Sequence, residues 1–288
     1  MLDRCKMASM LEPGLYVVAT PIGSARDITL RALDVLAAAD VIAAEDTRRA
    51  RKLMSIHGIA LDGRPVIPYH DHNGSAQRPK LMSMIADGKI VAYVSDAGTP
   101  LVADPGFALA RDAALEGHKV HAVPGPSALL AALVVAGLPT DRFLFAGFLP
   151  PTKSAREKAL AELANVPASL VFFETARRYS EMVHSCVQVL GGTRQAAMCR
   201  ELTKKFEEVR RGTLSDLAQG ADDDPPKGEI VVVVDRGRDK AGPEDRDRML
   251  GEALQTMTVK DAARHVAEAL GLPRRDVYQA ALQLGSSK

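Results

Sequence analysis

From residue 15 to residue 123 the chain alternates without exception between short apolar runs and helical patterns, and this restricts the fold more than any other feature. Residues 15–19, 41–44, 66–67, 90–94 and 119–123 read as strands. Thr29 can N-cap a helix that carries Leu30, Leu33, Leu36 and Ala37 at helical spacing. A second helix runs to His57 with Gly58 as its stop, a third spans residues 75–86, and a fourth follows from 107 to 115. Such alternation predicts a largely parallel sheet covered by helices. Ligands of open α/β sheets bind beyond the carboxyl ends of the strands, so the loops at those ends are where function is sought.

At 288 residues the chain exceeds what one core usually supports, so two domains are expected. After Thr140 the pattern changes. Residues 143–149, 169–174, 195–200, 206–211 and 229–235 read as five strands of a more antiparallel half, the last two separated by a short helix at 215–219. The helix at 127–136 carries no charge and is apolar all round, which predicts burial. The expected division is a first α/β domain at 12–139, a second at 140–236, a charged linker at 237–248 and a tail at 249–288. In that tail, residues 259–270 and 276–284 form amphipathic patterns around Gly271-Leu272-Pro273, as in a helix-turn-helix. A piece of about forty residues is marginal alone, so it either docks on the body or serves as a contact module.

Apolar residues at 47% and charged residues at 25% are ordinary for a globular protein. No apolar run approaches the roughly 20 residues of a membrane span, and residues 1–11 lack a secretory apolar region. Cys5, Cys186 and Cys199 are odd in number and widely spaced, which suggests reduced thiols and a cytoplasmic protein that avoids membranes. A net charge of +1 gives no global attraction to polyanions, so nucleic-acid contacts must come from local basic groups. These are Arg48-Arg49 with Arg51-Lys52, Arg177-Arg178, Lys204-Lys205, Arg210-Arg211 and Arg274-Arg275, each of which reads equally as a solvated face. No phosphate-binding glycine motif follows a strand, which argues against a nucleotide polyphosphate. His70 and His72 flank Asp71 without an evident third ligand, so no metal is expected.

The loop after the fourth strand, Ser-Asp-Ala-Gly-Thr-Pro-Leu-Val-Ala-Asp-Pro-Gly from Ser95 to Gly106, is the strongest ligand candidate. Gly98 allows close backbone approach or positive φ, while Pro100 and Pro105 stiffen the chain. Read blandly, the same loop is a strand-to-helix turn with Asp104 capping the next helix.

Five segments in register carry a resemblance: Ala19-Thr20-Pro21-Ile22-Gly23, Glu45-Asp46-Thr47-Arg48, the 95–106 loop, Pro124-Gly125-Pro126-Ser127-Ala128 and Phe173-Glu174-Thr175-Ala176-Arg177-Arg178. Together they resemble the tetrapyrrole methylase superfamily, and within it the branch that methylates the cytidine 2′-oxygen of small-subunit ribosomal RNA. The likeness runs from about Gly14 to Asp235, and the tail is similar to that branch's helix-turn-helix appendage. It implies an α/β, two-domain class III methyltransferase fold, with S-adenosylmethionine bound between the domains. It also implies a homodimer, and ribosomal RNA or the assembled small subunit as partner. Carried over by position, the cofactor contacts are Pro21, Ile22, Thr99, Val102, Ser127 and Ala128, around Gly98. The superfamily's usual Gly-Asp-Pro is Gly98-Thr99-Pro100 here, so Asp96 is the candidate to supply the missing carboxylate.

A sulfonium is a cation, and its pocket should lack nearby Lys or Arg; the 95–106 and 124–128 loops contain neither. A ribose hydroxyl is a poor nucleophile and gains from a general base. Glu45, Asp46, Asp96, Lys153, Glu174 and Glu201 all stand at or just beyond strand ends, and spacing does not choose among them. Lys153 would need desolvation to act so. Arg48, His70, Arg177, Arg200 and Lys204 are the candidate RNA contacts, with ion pairs to Glu45, Glu174 and Glu201 an equal alternative for the basic ones. Two further readings are a methyltransferase acting on a tetrapyrrole and a non-catalytic RNA-binding module. With aromatics at 4% and no Trp, a base-stacking platform is not evident.

Overall fold

The first sheet is wholly parallel, with order β3-β2-β4-β1-β5. Its strands are β1 (Gly14–Val18), β2 (Val41–Ala44), β3 (Val66–Pro68), β4 (Ile90–Val94) and β5 (Val120–Val123). The covering helices are α1 (Leu30–Ala38), α2 (Thr47–Ile56), α3 (Gly74–Ala86) and α4 (Phe107–Leu115). The structure is a computed structural model that describes residues 11–70, 73–103, 105–236, 243–270 and 272–286. Asp71, His72, Asp104, Gly271, Cys5 and residues 237–242 of the expected 237–248 linker lie outside the described residues.

Local chemistry sets these boundaries. Thr29 Oγ1 accepts the Ala32 N–H at 3.1 Å, and Asp46 Oδ1 accepts the Arg48 N–H at 2.8 Å, so both helices begin on a side-chain cap. Arg64 is buried under α1, donating through Nη1 to Leu36 O at 2.7 Å and Ala39 O at 2.8 Å. It thereby satisfies carbonyls that the end of a helix leaves open. One face of the sheet packs Tyr16, Ile42 and Val94 against Val35, Leu36 and Met54; the other packs Leu15, Val91 and Tyr93 against Leu81, Ile85 and Leu109.

The second sheet has order β6-β7-β10-β8-β9 and is parallel only between β6 (Phe143–Phe148) and β7 (Ser169–Thr175). β8 (Gln195–Arg200), β9 (Glu208–Thr213) and β10 (Glu229–Val234) complete it with antiparallel pairing. One face carries α6 (Lys153–Leu163), α7 (Ala176–Leu190) and α8 (Leu214–Asp223), through Leu160, Tyr179, Met182 and Leu217. Sequence patterning missed α6 and α7, whose charged residues hide single apolar stripes. It also gave only the centre of α8.

The opposite face of this sheet is covered by α5 (Ala128–Ala136), which precedes it in the chain. Ala132, Leu133 and Ala136 pack there on Val171, Ala197, Val231 and Val233, joined by Ile22 and Leu202. Full burial of a Leu, Ile or Val side chain in this contact stabilises it by roughly 1.5–3 kcal/mol, so α5 fastens the two sheets together. The expected burial all round does not hold: Leu130 is 52% and Val134 79% exposed. Only one sheet lies beneath the helix, and uniform apolarity conceals which side faces it.

The expected linker is also corrected. α9 (Pro243–Ala253) occupies its described part, from residue 243 on. Together with α10 (Val259–Leu270) and α11 (Arg274–Ser286) it encloses a separate core of Leu250, Ala262, Val266, Val277 and Ala281. Among the described residues no helix is long and apolar enough to cross a membrane.

Candidate active site

The end of β1 and the loop after β4 are tied by a two-residue antiparallel bridge between Thr20 and Gly98. Gly98 has φ +78°, and a Cβ built on it would lie 3.4 Å from Ile22 Cγ2. Thr99 Oγ1 donates to Pro126 O at 3.0 Å, linking this loop to the one that follows β5. Leu101 and Ala103 hold positive φ of 70° and 58°, a strained arrangement for residues with a Cβ. From the other half, Glu201 and Thr203 at φ 48° and 63° shape the facing loop. The halves touch where the Ser24 N–H donates to Thr203 Oγ1 at 3.2 Å.

Between them lies a cleft of about 310 Å³, within the range of about 300–1,000 Å³ typical of small-molecule sites. Ile22, Gly98, Thr99, Val102, Ser127 and Ala128 line its first wall, so these six residues of the expected cofactor set are brought together. The second wall holds Phe148, Phe173, Glu174, Leu202, Lys204 and Glu229, with Cys199, Ile230 and Val231 behind. Of that wall the sequence reading had only Glu174 and Lys204. The usable signal for Glu229 was the preceding Gly228, at φ +89°, where a Cβ would overlap Glu201 at 2.3 Å.

Carboxylates outnumber the one lysine in the cleft wall. Lys204 Nζ lies 2.9 Å from Glu201 Oε1 and 2.8 Å from Glu229 Oε2. Burial works against its ammonium, but the hydrogen bonds to Glu229 and Glu201 together outweigh it and raise its pKa. The Glu229 N–H and then Lys204 hold the Glu201 carboxyl below its ordinary value. Glu174 is different. Its side chain is 0% exposed; Oε1 accepts the Thr175 N–H at 2.8 Å. Oε2 lies 3.3 Å from Arg178 Nη2 yet has no hydrogen-bond partner among the described residues. A buried carboxylate oxygen with spare acceptor capacity, beside a neutralised lysine, suits a cationic ligand or a hydroxyl donor. The residues present therefore fit a sulfonium cofactor.

Pro21 and Asp96, expected at the cofactor, line a second cavity of about 200 Å³ with Arg49, Lys52, Leu53 and Ile56. Asp96 Oδ1 accepts the Asp46 N–H at 3.1 Å, and Oδ2 lies 3.4 Å from Arg49 Nη1. The two residues border this second cavity and not the cleft, on the other side of the Thr20–Gly98 bridge.

The remaining candidates disperse. Glu45 Oε2 accepts the Asp96 N–H at 3.2 Å, bracing the loop from outside the cleft. Asp46 caps α2 and is chelated by Arg48; the side-chain bond from Arg48, then its backbone N–H, lowers the pKa to about 2. So weak a base is a poor proton acceptor, and Asp46 is corrected to a structural cap. Lys153 opens α6 with its side chain 76% exposed and 3.8 Å from Glu157, so the desolvation that a basic role requires is missing. Arg48 is 90% exposed beside Asp46, and Arg177 is exposed at the start of α7. Arg200 is held by Glu208 at 2.6 Å. Half-buried His70, following β3, donates its backbone N–H to Asn73 Oδ1 at 2.8 Å.

Residues 14–218 match the family model of Tetrapyrrole (Corrin/Porphyrin) Methylases, and residues 240–285 match that of the RsmI C-terminal HTH domain. Ribosomal RNA small subunit methyltransferase I of Mesorhizobium japonicum is 50% identical over 279 residues, covering 96% of this chain and 94% of that protein. Its namesake in Xylella fastidiosa is 40% identical, covering 93% and 99%. Among solved structures, uroporphyrin-III-C-methyltransferase from Thermus thermophilus superposes with a TM-score of 0.55 at 22% identity, covering 77% of this chain and 94% of that one. Diphthine synthase gives 0.57 at 18%, covering 77% and 89%. At such identities these structures show the fold alone.

Proposed function

The chain belongs to the tetrapyrrole methylase family and is a methyltransferase, and on that premise we propose that it methylates the ribose 2′-oxygen of a cytidine in small-subunit ribosomal RNA, using S-adenosylmethionine. One observation carries the reading. Identity of 50% to a small-subunit ribosomal RNA methyltransferase extends over 96% of the chain, tail included. Likeness to the tetrapyrrole enzyme from Thermus thermophilus stands at 22% over 77%.

The cofactor supplies a methyl carbon attached to a positively charged sulfur. Ile22, Gly98, Thr99, Val102, Ser127 and Ala128 would hold it, using backbone and small or apolar side chains that leave its charge unopposed. Glu201 and Glu229 keep Lys204 from repelling that charge. Glu174, alone among the six general-base candidates in lining the cleft, would accept the ribose hydroxyl proton through Oε2. Alignment of the hydroxyl contributes up to about 7–11 kcal/mol in favourable cases. Arg48 and Arg177 are exposed cations that would contact phosphates.

A second copy of the chain is proposed to cover the groove formed by Leu130, Leu133, Val134, Leu138 and Phe143. The substrate implies work in the cytoplasm. The test is incubation with methyl-labelled S-adenosylmethionine and, separately, assembled small subunits, naked ribosomal RNA and a porphyrinogen. Digestion to nucleosides is expected to give label in 2′-O-methylcytidine. Label on a base or on the porphyrinogen would reject the reading.

A further inference from the structure

We propose that the second cavity receives the base of the target nucleotide, and that Asp96 and Arg49 read it as cytosine; the proposal rests on the methyl-transfer reading above. The Thr20–Gly98 bridge is a wall common to both cavities. Ile22, Gly98 and Thr99 stand on its cofactor side, and Thr20, Pro21 and Asp96 on the other. Only the width of one backbone pair separates the spaces. A nucleotide whose ribose sits at the edge of the cleft has its base within reach of the second cavity.

The lining of that cavity suits a single unstacked base. Pro21, Leu53 and Ile56 offer apolar surface, and Ile56 is an exposed apolar side chain that the fold itself does not use. Asp96 is fixed through Oδ1 by the Asp46 N–H, so Oδ2 stays available beside the Arg49 guanidinium. An acceptor next to a donor matches the cytosine edge, where the N4 amino group donates beside the N3 and O2 acceptors. Uracil would set its O4 against the carboxylate. A base inside a duplex cannot present this edge to a cavity, so the nucleotide must be single-stranded or flipped. Arg48, Arg51 and Lys52 are exposed on α2 beside the cavity and suit the flanking phosphates.

The test compares single-turnover methylation of small subunits carrying cytidine or uridine at the position that the wild-type protein labels. The wild type is expected to favour cytidine at least tenfold. Asp96→Asn, whose amide oxygen keeps the Asp46 N–H and whose amino group then stands at the Oδ2 position, should abolish the preference for cytidine, leaving a cytidine-to-uridine ratio of about threefold or below, while S-adenosylmethionine affinity stays within twofold. Ala25 also lines the cavity, and Ala25→Trp, which fills it, should lower methylation of cytidine at least tenfold with cofactor affinity again unchanged. Retained selectivity in Asp96→Asn, or undiminished methylation by Ala25→Trp, overturns the base pocket alone. A tenfold loss of cofactor affinity in Asp96→Asn also overturns it, by returning Asp96 to the cofactor. A wild-type protein that methylates neither substrate overturns the reaction reading itself and the pocket with it.

Discussion

Thr20 and Gly98 exchange two backbone hydrogen bonds, the Thr20 N–H to Gly98 O at 2.8 Å and the Gly98 N–H to Thr20 O at 2.9 Å. Gly98 makes both bonds at φ +78°, and a Cβ there would meet Ile22, which also lines the cleft. Gly98→Val should therefore weaken S-adenosylmethionine binding at least tenfold, read by calorimetry. It should also lower stability by about 1–3 kcal/mol through backbone strain. Unchanged binding would remove Gly98 from the site.

Glu174→Gln keeps the bond from the Thr175 N–H but lowers the basicity of the group at the cleft. The methyl-transfer rate at saturating cofactor should fall by about 10²–10⁴-fold, the usual contribution of a general base. Lys153→Ala, outside the cleft, should stay within twofold of wild type. Single-turnover rates on small subunits distinguish the two.

Arg64→Ala strips hydrogen bonds from carbonyls at the end of α1 and in the turn before β3, including those of Leu36, Ala39 and Leu61. Leaving buried polar groups unpaired costs about 1–3 kcal/mol each, offset in part by water entering the gap. A loss of about 2–4 kcal/mol in urea unfolding is expected. A change below about 0.5 kcal/mol, the usual scale of surface substitutions, would show that the arginine is dispensable.

Burial pushes the Cys199 thiol up to about 11 and the Cys186 thiol up to about 12. Both should resist alkylation in the native protein at pH 8, as mass spectrometry of iodoacetamide-treated protein would show. A thiol whose folded pKa is raised favours the fold below its unfolded pKa of about 8.5. That contribution is lost as pH climbs through the folded values, so stability should decline from about pH 9 upward. Replacing both by alanine should flatten the decline.

Val134→Glu puts a charge in the exposed groove without touching the α5 residues that bind the second sheet. Light scattering should report a dimer for the wild type and a monomer for the variant, with unchanged helix content. A monomeric wild type would reject self-association.

The first half of the site was legible because its residues sit at strand ends, marked by Gly98, Pro100, Pro124 and Gly125. The second wall was not, since Phe173, Ile230 and Val231 are ordinary strand residues that border a cleft only because of how α5 seats on that sheet. Pro21 and Asp96 were expected at the cofactor and instead line the second cavity, since local pattern does not record on which side of the Thr20–Gly98 bridge a loop residue falls. Asp46 and Lys153 were misread for a related reason. A polar residue after a strand can serve a ligand or the start of the next helix, and only three-dimensional context separates the two.

α5 is linked to one half by covalent order and to the other by its packing. Severing the polypeptide near residue 139 would leave the downstream fragment with a bare oily sheet and the upstream fragment with a greasy helix that has nowhere to lie. The two pieces should be insoluble when expressed apart and should recover when expressed together.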